Sequence, residues 1–205
     1  TFILVLAIAS FMGIGAYATS YELINGVAST PTEIDVNTWT GWAVNSPDDL
    51  TVKTDFPGQT ITVNSGAKLI IASGLTITGN INLQPGGTVE LNSAATVNGS
   101  GGDVYVNGVN ATVTGSVNSV NVNGGSANIS SAGTVTVTAG SASVSGTVTT
   151  VNINNAGSSA TISGNATTVN VNNVSSSATI SGTAGTVNNL GTTTIDSGAS
   201  VTTLN

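Results

Sequence analysis

The chain has 205 residues, 39% of them hydrophobic but only 5% charged, against roughly 25% charged in an ordinary soluble domain. It has no Cys and no His, a formal net charge of −7, and only two basic residues, Lys53 and Lys68. These counts exclude a disulfide framework, Cys-ligated zinc, histidine acid–base chemistry and the basic patch that nucleic acid requires.

The first element is apolar. Phe2 to Ala18 (FILVLAIASFMGIGAYA) carries no charge and is close to the length that crosses a bilayer. The tract predicts a helix from Thr1 to about Ala28, ended by Pro31, which pushes Thr30 out of helical backbone geometry. Such a helix is apolar all round over its first turns and has to be buried, in a membrane or among copies of itself. The expected assembly residues are Phe2, Ile3, Leu4, Val5, Leu6, Ile8, Phe11, Met12, Ile14 and Tyr17. Ala16-Tyr17-Ala18 ahead of Thr19 also fits a small-x-small cleavage site. The lack of a basic region ahead of the tract favours its retention in the mature protein.

This segment, TFILVLAIASFMGIGAYATSYELI, resembles the start of mature type IV pilins and their archaeal relatives. The resemblance covers about 28 residues and implies an N-terminal helix that sits first in the membrane and then in the core of a filament. Val5 stands where bacterial pilins usually carry a Glu, and the first acid here is Glu22, a departure that favours the archaeal branch.

Pro31 to Gly58 follows, without a repeat and with both tryptophans. It reads as a linker and an N-terminal cap whose aromatics, Trp39, Trp42 and Phe56, plug the first coil of what comes next. Its acids Asp48, Asp49 and Asp55 lack the regular loop spacing of a calcium site and read as turn residues. The expected organisation is therefore residues 1–30 for assembly, 31–59 for linker and cap, and 60–205 for a repetitive body.

In that body V-x-V and A-x-V/I strands alternate. The first inward column is expected to run Ile61/Val63, Leu75/Ile77, Val89/Leu91 and on to Val169/Val171, with Val187 and Val201 continuing it; the second runs from Ala67/Leu69 and Ile81/Leu83 to Thr193/Ile195. Polar residues stand between them, among them a column of Glu90, Tyr105, Asn121, Thr136, Asn152, Asn170 and Asn188. Glycines recur after the second strand, at Gly99, Gly115, Gly146, Gly164, Gly182 and Gly198, where a turn can use positive φ. Coils of about 14–18 residues with two short strands make a β-solenoid of about nine to ten coils; each buries about four apolar side chains and has to stack on its neighbours. The alternative is a β-sandwich with an N-terminal donor strand.

No chemical constellation stands out. Glu90, Asp103 and Asp196 read as scattered carboxylates, which leaves no catalytic set, and no cofactor or metal is expected. Thr134, Thr136 and Thr138 form a T-x-T-x-T strand, but asparagines fill the same columns in neighbouring coils, which disfavours a flat ice-binding face. Lys68 could join an Asn in an isopeptide bond but reads as a solvated lysine beside Asn82 and Thr96. Sequons at Asn98, Asn110, Asn128, Asn165 and Asn173 are candidate N-glycosylation sites.

Taken together, the residues predict a non-enzymatic subunit of an extracellular, pilus-like filament. Its partners are copies of itself in a helical polymer, a membrane before assembly and covalent glycans, with no nucleic acid. The alternatives are a secreted subunit polymerised by strand donation and a surface-anchored glycan-binding adhesin.

Overall fold

A computed structural model describes residues 19–25, 30, 32–35, 39, 42–56 and 58–205. The described residues form a parallel β-solenoid of about nine turns. Every strand pairing in them is parallel, which overturns the β-sandwich alternative.

Two long ladders run up the rod. In the first, Leu50/Val52 stack on Leu69/Ile71, then Val89/Leu91, Val104/Val106 and Val120/Val122, and further on Val135/Val137, Val151/Ile153 and Val169/Val171. In the second, Ile61/Val63 stack on Ile81/Leu83, and the column ends with Ile162, Ile180 and Ile195. Like side chains lie over like, and most of the large ones, such as Leu69, Leu91, Val151 and Ile162, are fully buried. A single continuous strand, Val109–Val144, passes through both ladders more than once. The core is thus a narrow channel of aliphatic side chains, closed coil by coil by the same hydrogen bonds that pair the strands.

The N-terminal helix is a correction. Ser20–Ile24, inside the expected helix, is a β-strand, and no helix occurs among the described residues. Tyr21 pairs with Leu50 and Leu23 with Val52, with Leu23 fully buried. The physical reason is the open edge of strand Asp49–Val52. S-Y-E-L-I alternates with period two, and the Asp49 and Lys53 amides donate to the Thr19 and Leu23 carbonyls. A helix would leave those donors unpaired. Residues 1–18 and 26–28 of the expected helix lie outside the described residues.

Upstream of residue 88 the columns also change. Ile61/Val63 belong to the second ladder, and Leu69/Ile71, expected in the second, stack in the first. The cause is coil length: Leu69 pairs with Val89, twenty residues on, whereas Val89 pairs with Val104, fifteen on. The extra residues form Leu75–Thr78, a side of its own joined to the coil before it by a Phe56–Ile77 bridge. The ladders also extend upstream of Thr60, through Asp49–Val52 and Ala43–Val44.

A third inward column completes the coil. Ala132, Val148, Ala166, Ala184 and Val201 stack in register, the first four of them buried. Val201 therefore leaves the first column assigned to it from sequence. Two consecutive non-core residues, Thr149-Thr150 and Thr167-Thr168, turn the corner between this column and the first ladder.

The recurring glycines need a second correction. Gly115 and Gly198 have positive φ, but Gly99, Gly146, Gly164 and Gly182 do not. At Gly164 a Cβ would run into the Gly146 carbonyl oxygen of the coil before it, and at Gly182 into that of Gly164. Gly146, Gly164 and Gly182 serve close backbone approach between coils, with no demand on φ, whereas at Gly99 a Cβ would meet the Val117 side chain.

Candidate functional site

The aromatics of the expected cap stand in one stack. Trp39 and Trp42 have ring centroids 4.6 Å apart at 51°, and Trp42 and Phe56 are 5.2 Å apart at 60°. Such tilted geometry suits the ring quadrupoles. Trp42 takes a φ of 42°, rare for a side chain of its size, while its carbonyl accepts the Thr62 amide at 2.8 Å. Phe56 is 1% exposed and lies against Gly79, where any Cβ would meet its ring. Phe56 is buried in the core, while Trp39 and Trp42 are partly buried and pack against it.

The surface of the first ladder is built from amides. Asn170 donates from Nδ2 to Asn152 Oδ1, Asn188 to Asn170 and Asn205 to Asn188, each at 2.8 Å. Beside this row Asn172 donates to Asn154 at 2.9 Å. Nearer the N-terminus Asn107 donates to Asn92 at 3.1 Å, Asn123 to Asn107 at 3.0 Å and the Thr138 hydroxyl to Asn123 at 2.9 Å. Each interior amide donates to one coil and accepts from the next, so the ladders tie coils together outside the core.

This arrangement separates two isosteric substitutions. Asn152 only accepts from Asn170, so Asn152→Asp keeps that bond, while Asn170→Asp turns a donor into an oxygen facing Asn152 Oδ1. Asn170→Asp is expected to destabilise the rod by about 1 kcal/mol and Asn152→Asp by nearly nothing. Equal urea midpoints for the two variants would show that the ladder contributes no stability.

Charges gather near the N-terminal half of the same ladder. Lys68 Nζ lies 2.9 Å from Glu90 Oε2, and Glu90 Oε1 accepts from Asn107 Nδ2 at 3.2 Å. Lys68 pairs in register with Asp49 and Thr88, not beside Asn82 and Thr96 as expected. Both partners are partly exposed, and the ion pair contributes little to stability. Lys53 pairs likewise with Glu22.

Glu90 and Asp103 are closer than the sequence suggested, on successive coils of one ladder, with Tyr105 in register with Glu90. Each is already engaged: Asp103 Oδ1 accepts the Ser119 hydroxyl at 2.6 Å, and Glu90 holds Lys68 and Asn107. Asp196 stands apart and accepts from Ser181 at 2.5 Å. Asp48 and Asp55 accept the Thr19 and Thr76 amides at 3.2 and 2.8 Å. Among the described residues no three acidic side chains gather in a group able to hold a metal ion. Tyr105, 38% exposed, is the aromatic ring that opens onto this face.

Of the sequon asparagines, Asn98, Asn110, Asn128 and Asn165 are exposed. Asn110 accepts the Ser126 hydroxyl at 2.8 Å and Asn98 that of Thr114 at 3.4 Å. Asn173 is half-buried in a turn, where its Oδ1 accepts the Ser175 amide at 2.9 Å. The ten expected assembly residues, Phe2 to Tyr17, lie outside the described residues. What the sequence reading missed is the third column of Val148, Ala166 and Ala184; its signal was the repeated V/A-x-T-V-N stretch, in which two consecutive polar or small residues break the alternation.

Comparison of the chain with protein-family models, curated proteins and solved structures gives no match.

Proposed function

We propose that the chain is a structural subunit of an extracellular filament, in which the apolar segment Phe2 to Ala18 makes the main contact between subunits and the solenoid rod faces the surroundings. The observation that carries this reading is a contrast. An uncharged apolar tract leads directly into a rod whose long faces are rows of neutral amides and hydroxyls, their hydrogen bonds largely spent on one another. Such faces offer a partner little gain in free energy. Burying the tract, at about 25 cal/mol per Å² of apolar surface, outweighs them. Kinship with the archaeal pilins is part of the proposal and rests on that tract. Glycans on the exposed sequon asparagines and passage through a membrane before assembly belong to the same reading.

Deletion of residues 1–18 leaves the strand Ser20–Ile24 in place and is expected to give a soluble, folded monomer. Electron microscopy and sedimentation of the two chains test it; filaments of the truncated chain would overturn the proposal.

A second reading, a surface-anchored glycan-binding adhesin, is favoured by Tyr105, which offers an exposed ring flanked in register by Glu90 and Asn121. A glycan array on which the chain and its Tyr105→Ala variant bind equally would remove that reading.

A further inference from the structure

Charge is distributed unevenly along the rod. Both lysines and all the acids but Asp196 precede residue 104, and residues 104–195 contain no Asp, Glu, Lys or Arg. On this uncharged stretch the second ladder carries a regular grid of hydroxyls. Ser141 stands in register with Ser159 and Ser177, and Ser143 with Thr161 and Thr179, all six on the outward side of their strands. Successive rungs lie about 4.8 Å apart, and hydroxyls on one strand about 6.6 Å apart, two residues at about 3.3 Å each. Among the described residues none of these six hydroxyls has a hydrogen-bond partner. The amides of the first ladder differ, and so do Ser145 and Ser163 beside the grid, whose hydroxyls donate to the Ile129 and Val144 carbonyls at 3.3 and 3.2 Å.

The chemistry of this face narrows what it can receive. It has no charge to hold an ionised partner, and residues 106–205 contain no aromatic ring on which a sugar could stack. A second copy of the same face does match it. Every hydroxyl both donates and accepts, the rungs repeat at the same spacing, and Ser and Thr are short enough for two flat sheets to close on each other. Charge then sets the orientation. Parallel rods would bring their acidic N-terminal coils to about 10 Å, close to the Debye length of about 8 Å at physiological salt, where they repel. In antiparallel rods centred on Thr161, Ser143 lies opposite Thr179, Asp196 lies opposite the uncharged coil of Asn128, and the acidic coils point away from each other.

We propose that this hydroxyl face is a lateral contact joining two filaments of opposite polarity, the same face on each, about a twofold axis at Thr161. Its rungs span about 14 Å by 16 Å, on the order of 200 Å² per partner against the roughly 800 Å² of a stable pair, so isolated chains stay monomeric. Along a filament the contact recurs with every subunit, and the weak terms sum. The inference rests on the filament reading above and adds how filaments meet one another.

Differential pelleting and electron microscopy of the full-length chain test it. Parent filaments are expected to collect in bundles that pellet at low speed. Thr161→Asp/Thr179→Asp sets like charges on both sides of the contact, so its low-speed pellet should fall at least about tenfold while its filaments still pellet at high speed. Thr149→Asp/Thr167→Asp adds the same charge at exposed threonines outside the grid and should bundle as the parent does. Equal loss in the two variants, no loss in the first, or a parent that stays as single filaments would each overturn the contact and leave the filament reading standing. A full-length parent that gives no filaments at high speed would remove that reading and the contact with it. The chain has no cysteine, so crosslinks read the orientation without native thiols, and they decide the matter even should the aspartate variant fail to fold. On oxidation, bundles of mixed Ser143→Cys and Thr179→Cys filaments are expected to form an interchain disulfide, and bundles of Ser143→Cys alone are not. The reverse result would make the filaments parallel and overturn the proposal.

Discussion

Val151→Asp is expected to unfold the middle of the rod, at a cost of about 3–5 kcal/mol, because it strands a carboxylate with no counter-charge among fully buried aliphatic side chains. Val151 is 0% exposed, lies between Val135 and Val169 in the first ladder, and has only apolar columns around it. Against a total stability of about 5–15 kcal/mol for a typical domain, that loss removes much of the cooperativity between the halves of the rod. Since each coil touches only its neighbours, the damage should spread outwards from the substituted coil. Urea unfolding followed by circular dichroism should show an early transition in Val151→Asp and none in Asn152→Asp, which differs by one position and points outwards. Similar midpoints for the two would mean that the strand register is wrong.

Gly164→Ala is the second large effect expected, and it arises without any polar group. A methyl at this position would collide with the carbonyl oxygen of Gly146, and the same contact recurs from Gly182 to Gly164. Carbonyl oxygens in a ladder cannot swing aside as a side chain can, so the coils must separate locally or the strand ends must shift. A cost of about 1–3 kcal/mol is expected, in the range of other overpacked sites. Thr161→Ala, on the exposed face of the same coil, should change the midpoint little. If Gly164→Ala proved as stable as Thr161→Ala, the close approach of the coils at this column would be excluded.

From Val89 onwards the sequence alone determined the two long ladders of the solenoid. Inward V-x-V and A-x-I/V pairs, outward Asn and Thr, and coils of nearly constant length lead to the parallel register observed in the two long ladders, though not to the third column. The surface was legible for the same reason, since the asparagines that bond one another at 2.8 Å are those that share a column. Only the tertiary structure decided the rest. Ser20–Ile24 became a strand because the edge of Asp49–Val52 was there to receive it, which no local propensity reveals. The swap of Ile61 and Leu69 between ladders came from the longer coils upstream of residue 88, in which a period of fourteen fitted the letters and twenty fitted the space. Glycine spacing pointed to turns, yet at Gly164 the constraint is a backbone oxygen from another coil. Lys68 found Glu90 because register, set by burial of Leu69 and Ile71, carried it there. Periodicity fixes which face a residue takes when the repeat is even; what it meets there depends on the neighbouring coil, and that is settled only when the coils stack.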